Sequence, residues 1–406
     1  MHDHFGNPLS CASPDAVQAY DKAVDCQLHA WPDPLVKLQA AVANDPGFAL
    51  AHAARGLVLM ARGRVAEGRE AVAAARQNIA ALDAREQSHV TLISLLADGK
   101  PQQALAAVVD HARHWPTDAL AMSTALGAFG LFAFSGREDH DQTRLAFVRG
   151  LAPHYPDDNA WMLTQLSWAH TEAGRPDVGF DLIQRSLALR SANGNAAHVM
   201  MHAHFERSET GDALRFIDGW LPGCPDDAML FGHLHWHAAL CEIDLGRADA
   251  AERRLIDFIE PHLRHALPLV GMTDIASLLW RLGLQDRHHG LWAGAAAYAG
   301  LKFPNGGNAF VEVHLAMLAA ARRDAAALAL CAARLQRAAD AGHAAAPVAL
   351  RWVAGLGALL AGDSDGAREH LQACLDQAVR LGGSHAQRTI VDRTLAALRL
   401  PHAETA

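Results

Sequence analysis

The most constraining feature of this sequence is a short turn motif that returns about every 37 residues. The motif is a small or polar residue, most often glycine, followed by a charged residue and an alanine-rich stretch. The marker residues of this motif are Gly63, Gly99, Gly136, Gly174, Gly211, Gly246, Gly283, Arg323 and Gly362. Successive markers are 36, 37, 38, 37, 35, 37, 40 and 39 positions apart. Such a period is typical of stacked repeats, because each repeat buries its apolar face only against its neighbours.

Each period predicts two helices joined by a short turn. Glycine at the marker suits the left-handed residue that ends a helix, and the following alanines favour the next helix. A second breaker divides several repeats, as at Asp45-Pro46 and Trp115-Pro116. We therefore expect an all-α fold, a TPR-like α-solenoid of about nine helical hairpins that curls around a central pocket. An irregular helical bundle is the alternative.

The same pattern predicts a single continuous domain. No linker rich in glycine, serine or proline interrupts the period, so residues 19–399 are expected to form one TPR-like array. Residues 1–18 and 400–406 lie outside the repeats and are expected to be an N-terminal arm and a C-terminal tail.

Composition and charge narrow the classes of protein. Hydrophobic residues make up 51% of the 406 positions and charged residues 19%, which favours a large buried core over disorder. We expect no transmembrane helix and no secretory signal, because neither pattern is present. A net charge of −9 without a basic stripe argues against nucleic acid or membranes as partners. Six scattered cysteines without a CxxC pair are typical of a reduced, cytoplasmic protein.

Three polar clusters within predicted helices contain several of the 25 histidines. The clusters are His198, His202 and His204; His233 and His237; and Glu312 with His314. A spacing of four residues places His198 and His202 on one helix face, and His204 points elsewhere. His233 and His237 repeat this spacing 35 positions later, so we expect the two histidine faces to lie side by side.

Aligned imidazoles favour acid–base chemistry, because a nearby carboxylate raises the pKa of an imidazole and gives an acid or base useful near neutral pH. Zinc is the rival interpretation, since His-x3-His on a helix also has metal-ligand spacing. The metalloprotease helix needs glutamate directly after the first histidine, and Val199 stands there. We therefore predict no metal and no cofactor, with zinc as the less favoured alternative. For any single histidine, a hydrogen-bonded or solvated structural side chain is the simpler interpretation.

Two further stretches place polar residues in an apolar context. Asp274 lies within an apolar helical segment, where it is either an orienting acid or part of a cap or structural ion pair. Ser384 is a natural N-cap, so Gln387 and Arg388 fall in the first turn of a late helix. The planar fork of Arg388 suits a carboxylate or phosphate, and a surface arginine is the alternative.

Seven polar motifs follow one another over roughly residues 20–395. They are Asn44-Asp45-Pro46-Gly47-Phe48, Arg85-Glu86-Gln87-Ser88-His89-Val90, His198-x3-His202-x-His204, His233-x2-Trp236-His237, Asp274-x2-Ser277-x2-Trp280-Arg281, Glu312-x-His314 and Gly382-Gly-Ser384-x-Ala386-Gln387-Arg388. In this order they resemble the tetratricopeptide-repeat protein 38 family. The resemblance implies a helical-repeat array with polar motifs that are unusual for a scaffold, and it marks Arg85, His89 and Trp236 as recurring polar positions. It does not name a reaction.

Several positions depart from the family pattern. Relatives carry glutamate after the third histidine, His-Asp after the Pro-Thr-Asp turn, and aspartate after Gln-Arg. At these places the chain has Phe205, Leu126 with Gly127, and Thr389. We expect these departures to retune the site for another substrate or to remove part of it.

We expect a small-molecule-binding protein or an acid–base enzyme of hydrolase, lyase or isomerase type, acting on a small carbonyl-bearing or anionic substrate. The expected catalytic residues are His198, His202, His204, His233, His237, Asp274, Glu312 and His314. The expected substrate-binding residues are Arg85, His89, Trp236, Gln387 and Arg388. All of them are expected to converge on one enclosed chamber. The alternative is a non-catalytic TPR scaffold that binds a peptide or protein partner in its concave groove.

Overall fold

The chain folds into α-helices joined by short turns. The computed structural model describes residues 1–77, 79–283 and 289–398. Over these ranges the only β-type pairing is an isolated bridge between His2 and Pro8. No helix of the described part is long and apolar enough to span a lipid bilayer. The all-α prediction is confirmed.

Most helices span 11 to 16 residues, as expected for half of a 37-residue repeat. The first twelve are α1 (Pro14–Leu28), α2 (Pro34–Asn44), α3 (Ala49–Ala61), α4 (Val65–Arg76), α5 (Ala84–Ala97), α6 (Pro101–His114), α7 (Ala119–Ser123), α8 (His140–Leu151), α9 (Ala160–Glu172), α10 (Pro176–Leu189), α11 (Gly194–Glu206) and α12 (Thr210–Trp220). The others are α13 (Phe231–Asp244), α14 (Ala248–Arg254), α15 (Glu260–His262), α16 (Pro268–Arg281), α17 (His289–Lys302), α18 (Ala309–Ala321), α19 (Ala325–Asp340), α20 (Ala346–Leu360), α21 (Ser364–Leu375) and α22 (His385–Ala397).

Consecutive helices pack in pairs, most extensively α1 with α2, α3 with α4, α9 with α10, and α20 with α21. Small residues allow the closest approach. A Cβ atom on Gly56 of α3 would lie 2.5 Å from Val72 Cγ2 and 2.9 Å from the carbonyl oxygen of Gly68 on α4. Any larger residue at Gly56 would push the two helices apart. The predicted class, TPR-like helical hairpins of an α-solenoid, is confirmed.

The turns between repeats use the left-handed backbone that the glycine markers predicted. Gly174 has φ of 80° and Gly246 has φ of 73°, where a side chain would be strained. One marker is misplaced: Gly211 lies inside α12, and Ser208, with φ of 59°, takes the left-handed position before that helix. Arg323, with φ of 54°, adopts the same conformation without being glycine.

The chain divides into two compact units. Unit 1 consists of Met1–Phe132, Asp141–Leu234 and Arg264–Pro268. Unit 2 consists of Ala133–His140, His235–Leu263 and the chain from Leu269 onwards. The repeat period runs without interruption through these boundaries, so the sequence pattern gives no sign of the division. The predicted C-terminal tail, residues 400–406, lies outside the described residues.

The first residues of the chain, expected to form an N-terminal arm, pack into unit 1. Helix α1 begins at Pro14, and Leu9 before it is buried. The side chain of Asn7 is also buried, and it accepts a hydrogen bond from Thr117 Oγ1 at 2.8 Å. These contacts hold the start of the chain in place, because an uncovered Leu9 would expose apolar surface.

Each unit has its own apolar core. In unit 1 the largest cluster includes Leu50, Ile93 and Met122, and a second cluster surrounds Trp168. In unit 2 one cluster surrounds Trp292 and another surrounds Trp352. The polar residues described below are embedded in or beside these cores.

Candidate functional site

The residues predicted for the site fall in both units. Unit 1 contains Arg85, His89, His198, His202, His204 and His233. Unit 2 contains Trp236, His237, Asp274, Glu312, His314, Gln387 and Arg388. All of them are buried except Arg388, which is half-buried. Their convergence on one shared chamber stays a prediction.

Three of the predicted histidines meet within unit 1, and we refer to His198, His202 and His233 as the histidine trio. Helix α11 carries the first two, one turn apart, and Asn193 caps the start of this helix by accepting the N–H of Ala196 at 2.9 Å. The Nε2 atom of His198 lies 3.0 Å from Nε2 of His202 and 3.1 Å from Nε2 of His233.

A tryptophan and a glutamate from helix α9 also contact the trio. The ring of Trp168 stacks on His198 at 5.5 Å and meets His202 edge-on at 4.6 Å. The carboxylate of Glu172 lies 3.2 Å from Nδ1 of His202, and both side chains are fully buried. Glu172 was not among the predicted site residues. It lies at the end of α9, in an earlier repeat than the three histidine clusters.

The trio is electrostatically asymmetric. Burial, with His202 and His233 alongside, holds the pKa of His198 well below its usual value of 6.5, so this ring is neutral. His202 instead faces the Glu172 carboxylate at 3.2 Å. This pair has the residue types and spacing of a proton-transfer group.

His204 does not join the trio. It lies on another face of α11, where its Nδ1 contacts the Glu209 carboxylate at 2.9 Å and its ring meets Phe180 edge-on at 5.1 Å. This placement follows the helical spacing, which already separated His204 from His198 and His202.

Arg85 and His89 belong to a buried network centred on Asp118. Asp118 accepts hydrogen bonds from Arg85 Nη1 at 2.7 Å and from His89 Nδ1 at 3.0 Å, and His111 Nε2 lies 3.3 Å away. Burial alone would raise the pKa of Asp118, but His89, His111 and Arg85 hold it well below its usual value. Arg85 Nη1 and His89 Nδ1 are therefore engaged inside the protein, whereas Arg85 Nε and His89 Nε2 have no hydrogen-bond partner among the described residues. Asp118 ends the Pro-Thr-Asp turn and was not singled out.

In unit 2, Trp236 and Asp274 are linked through Ser277. Trp236 Nε1 donates to Ser277 Oγ at 3.0 Å, and Ser277 Oγ donates to the main-chain carbonyl of Asp274 at 3.2 Å. The ring of His237 meets the Trp236 ring edge-on at 4.9 Å. Trp236 thus helps to hold helices α13 and α16 together.

Glu312 and His314 make separate contacts on α18. Glu312 binds the guanidinium of Arg334 through two hydrogen bonds of 2.8 and 2.9 Å, and it accepts the N–H of Gly307 at 3.0 Å. His314 Nδ1 donates to the carbonyl of Phe310 at 2.8 Å. Burial lowers the pKa of His314 to about 4, so the ring is neutral at physiological pH.

Gln387 and Arg388 organise the start of α22. Ser384 and Gln387 form a capping box, in which each side chain accepts the main-chain N–H of the other residue. Arg388 Nη1 donates to the carbonyl of Gly383 at 2.8 Å. The predicted N-cap role of Ser384 agrees with this geometry.

Unit 1 also contains a cavity that the sequence did not reveal. This acidic pocket, of about 380 Å³, is lined by carboxylates and aromatic rings. Its charged and aromatic lining includes Asp3, Asp21, Asp25, Asp118, Asp158, Phe5, Tyr20, Trp161, His4, His29 and Arg190. Asp3, His4 and Phe5 of this lining lie within residues 1–18, which were expected to form an N-terminal arm.

No protein-family model matches the chain. Among solved structures, the chain is similar to human IFIT1 in a dimer with PPP-AAAA, with 16% identity, a TM-score of 0.41 and 89% of each chain covered. It is similar to aspartyl phosphate phosphatase F from Bacillus subtilis, with 9% identity, a TM-score of 0.40, and 88% of this chain and 95% of that chain covered. It is also similar to yeast Tom70, with 12% identity, a TM-score of 0.33 and 95% of each chain covered. No ligand or activity follows from similarities of this size.

Proposed function

We propose that the protein is a non-catalytic TPR-like binding protein that takes a cationic side chain of a peptide or protein partner in the acidic pocket. The observation that carries this proposal is the lining of the pocket, which combines carboxylates with aromatic rings around about 380 Å³. Carboxylates and aromatic faces both stabilise a guanidinium or ammonium group.

The pocket has more negative than positive charge. Asp3, Asp21 and Asp158 form no salt bridge with an arginine or lysine among the described residues, although the charge of Arg85 acts on Asp3. Burial raises the pKa of Asp3 and of Asp21, against the hydrogen bonds that each accepts. A bound cation would stabilise both ionised carboxylates, so binding would be favoured by the relief of this cost.

The remaining carboxylates of the pocket are already neutralised. Asp25 accepts two hydrogen bonds of 2.7 Å from the guanidinium of Arg190. Asp118 is engaged by Arg85. These pairs shape the walls, and the attraction for a guest comes from the other three acids.

Aromatic rings supply the apolar part of the pocket. Tyr20 and Trp161 are buried, and Phe5 meets Trp161 edge-on at 6.3 Å. Such rings suit the flat face of an arginine side chain and its methylene stem. An arginine-containing peptide is therefore the favoured partner.

Binding to arrayed 15-residue arginine-containing peptides tests this proposal, with copies in which citrulline replaces arginine. Citrulline keeps the shape of arginine without its charge, so we expect the citrulline copies to lose binding. The double variant Asp21→Asn, Asp158→Asn should bind at least about tenfold more weakly, since exposed and half-buried charge pairs contribute about 1 kcal/mol each.

The matched control is Asp110→Asn, an exposed acid of unit 1 that pairs with Arg113 outside the pocket. It should leave peptide binding unchanged. Equal binding of arginine and citrulline peptides, or full binding by the double variant, would contradict the proposal.

An acid–base enzyme is a second candidate, favoured by the fully buried contact between His202 and Glu172. In that case, a panel of small esters and carbonyl compounds should reveal turnover. The rate should fall at least about 100-fold in His202→Gln, because loss of a general base usually lowers the rate by this factor or more. The acidic-pocket double variant should keep that turnover, which separates the two candidates.

The order of the seven polar motifs supports a finer proposal, membership of the tetratricopeptide-repeat protein 38 family. A cytoplasmic location is likewise proposed, on the six cysteines, all buried as free thiols. Fractionation of cells that express the tagged protein would test the location.

A further inference from the structure

A second cavity lies wholly within unit 2, and we refer to it as the arginine pocket. Its volume is about 430 Å³, within the range of about 300 to 1,000 Å³ that is usual for small-molecule sites. Helices α16, α18, α20 and α22 supply its walls. The apolar lining consists mainly of Trp280, Ala320, Ala321, Leu356, Leu359, Leu360, Ile390, Ala397 and Leu398.

Three arginines, Arg281, Arg323 and Arg393, line this otherwise apolar cavity. Only Arg393 has a carboxylate partner among the described residues, the side chain of Asp244. Three guanidinium groups against one carboxylate leave the pocket with a net positive charge.

Arg281 is held in place by neutral oxygen atoms. Its Nη2 donates to the main-chain carbonyls of Ala386 at 2.9 Å and Gln387 at 3.2 Å, and its Nη1 donates to Thr389 Oγ1 at 3.3 Å. Its Nε is buried and has no acceptor among the described residues. These bonds fix the direction of the guanidinium without neutralising its charge.

The environment of Arg281 is unfavourable for a cation. Burial, together with the charge of Arg393, lowers its pKa to about 9. The charge of Asp244 only partly offsets this effect, and an anion in the cavity would offset it further. The apolar walls at the same time favour a guest whose body is hydrocarbon.

We propose that the arginine pocket binds an aliphatic carboxylate, a medium-chain fatty acid, with its carboxylate toward the three arginines and its chain against Trp280 and the leucines. A planar carboxylate matches the fork of a guanidinium, and the aliphatic side chains around it offer no hydrogen-bond partner for a polar body. The inference concerns unit 2 alone and does not depend on the acidic pocket.

Isothermal titration of the full chain with decanoate tests the proposal, at concentrations below micelle formation. Each buried CH2 group should strengthen binding about fourfold, so decanoate, with two more such groups, should bind about 15-fold more tightly than octanoate. Decanol, which lacks the charge, should bind at least about tenfold more weakly than decanoate. Equal binding of decanol and decanoate would overturn the assignment of the arginines, and tighter binding of decyl phosphate would overturn the choice of a carboxylate.

Variants locate the site. Arg281→Gln should weaken decanoate binding at least about tenfold. Arg323→Gln, at an exposed arginine, should weaken it about threefold. Ala397→Trp should fill the pocket and abolish binding, whereas Ala396→Trp, at the adjacent exposed position outside the lining, should not. Circular dichroism confirms that each variant folds. Unchanged binding in both Arg323→Gln and Ala397→Trp would overturn the proposal, as would absence of binding to the wild-type chain.

Discussion

Replacement of Asp118 by asparagine should destabilise unit 1 strongly. The carboxylate is 3% exposed and contacts Arg85, itself 3% exposed, as well as His89. Asparagine keeps the shape but removes the charge, so the buried guanidinium loses its nearest counter-ion and keeps only the Glu86 carboxylate, 4.0 Å away. Breaking such a pair costs about 3 to 5 kcal/mol. For a unit of this size the midpoint of thermal unfolding falls by about 2 to 4 °C per kcal/mol, so we expect a decrease of about 6 to 20 °C.

The effect of this substitution should depend on pH in a defined direction. The pKa of Asp118 is held well below its usual value in the folded state. Its contribution to stability is therefore complete above the unfolded pKa of about 4 and is lost as the pH falls toward the folded pKa. Calorimetric melts of both proteins at pH 7 and at pH 3 should show a smaller difference at the lower pH.

Asp98→Asn is the matched control, because it makes the same substitution in the same unit. Asp98 pairs with Arg76 at 3.0 Å, but both side chains are 40% exposed, so the loss should stay below about 1 kcal/mol. If Asp118→Asn melts within about 2 °C of the wild type at pH 7, a shift expected of less than about 1 kcal/mol, the buried Arg85–Asp118 pair does not stabilise unit 1 as expected. A difference that stays undiminished at pH 3 would refute the electrostatic origin.

Three other substitutions test single features of the fold. Gly382→Ala should lower the free energy of unfolding in urea by about 2 to 5 kcal/mol, because its φ is 83° and a Cβ atom would lie 2.6 Å from the Phe134 ring. Its control is Gly99→Ala, where φ is also positive but the space is open, and this change should cost about 1 to 2 kcal/mol. The pKa of His314 is lowered to about 4 in the folded protein, so unfolding should take up a proton between pH 6.5 and 4. This uptake should lower the free energy of unfolding by about 3 kcal/mol as the pH falls through that range. Melts of His314→Gln over the same range should lack this loss. Asn193→Ala should remove the cap of α11 at a cost of about 1 kcal/mol and speed amide exchange in its first turn.

The fold was predictable because its signal is carried by spacing. Helix ends at Gly174 and Gly246 need a left-handed residue, and glycine provides it at the lowest steric cost. The prediction was wrong at Gly211 because Ser208 takes the left-handed position and the helix begins at Thr210. A period locates a turn to within a few residues, and local sterics decide which residue makes it.

The start of the chain shows where the repeat pattern gives no information. Residues 1–18 have no repeat, yet Leu9 is buried and Asn7 binds Thr117, more than 100 positions away. A contact of this kind depends on which helices are stacked together. The spacing of residues within one segment does not show which distant segment it will contact. The acidic pocket was missed for this reason, since Asp3 and Asp158 meet only in the folded unit.

The candidate site shows the same difference between spacing and partnership. Helical spacing correctly separated His204 from His198 and His202, but it could not identify Glu172 as the acid beside His202. Polar residues that recur in motifs can equally hold the fold together. Arg85 binds Asp118, Glu312 binds Arg334, and Gln387 closes a capping box. Internal bonding satisfies these groups, because a buried polar group without a partner is costly. Arg281 differs from these groups, because it lines a cavity and forms no salt bridge among the described residues. A polar motif in a helical repeat is therefore compatible with either a structural or a binding role, and the contacts of its side chains distinguish the two.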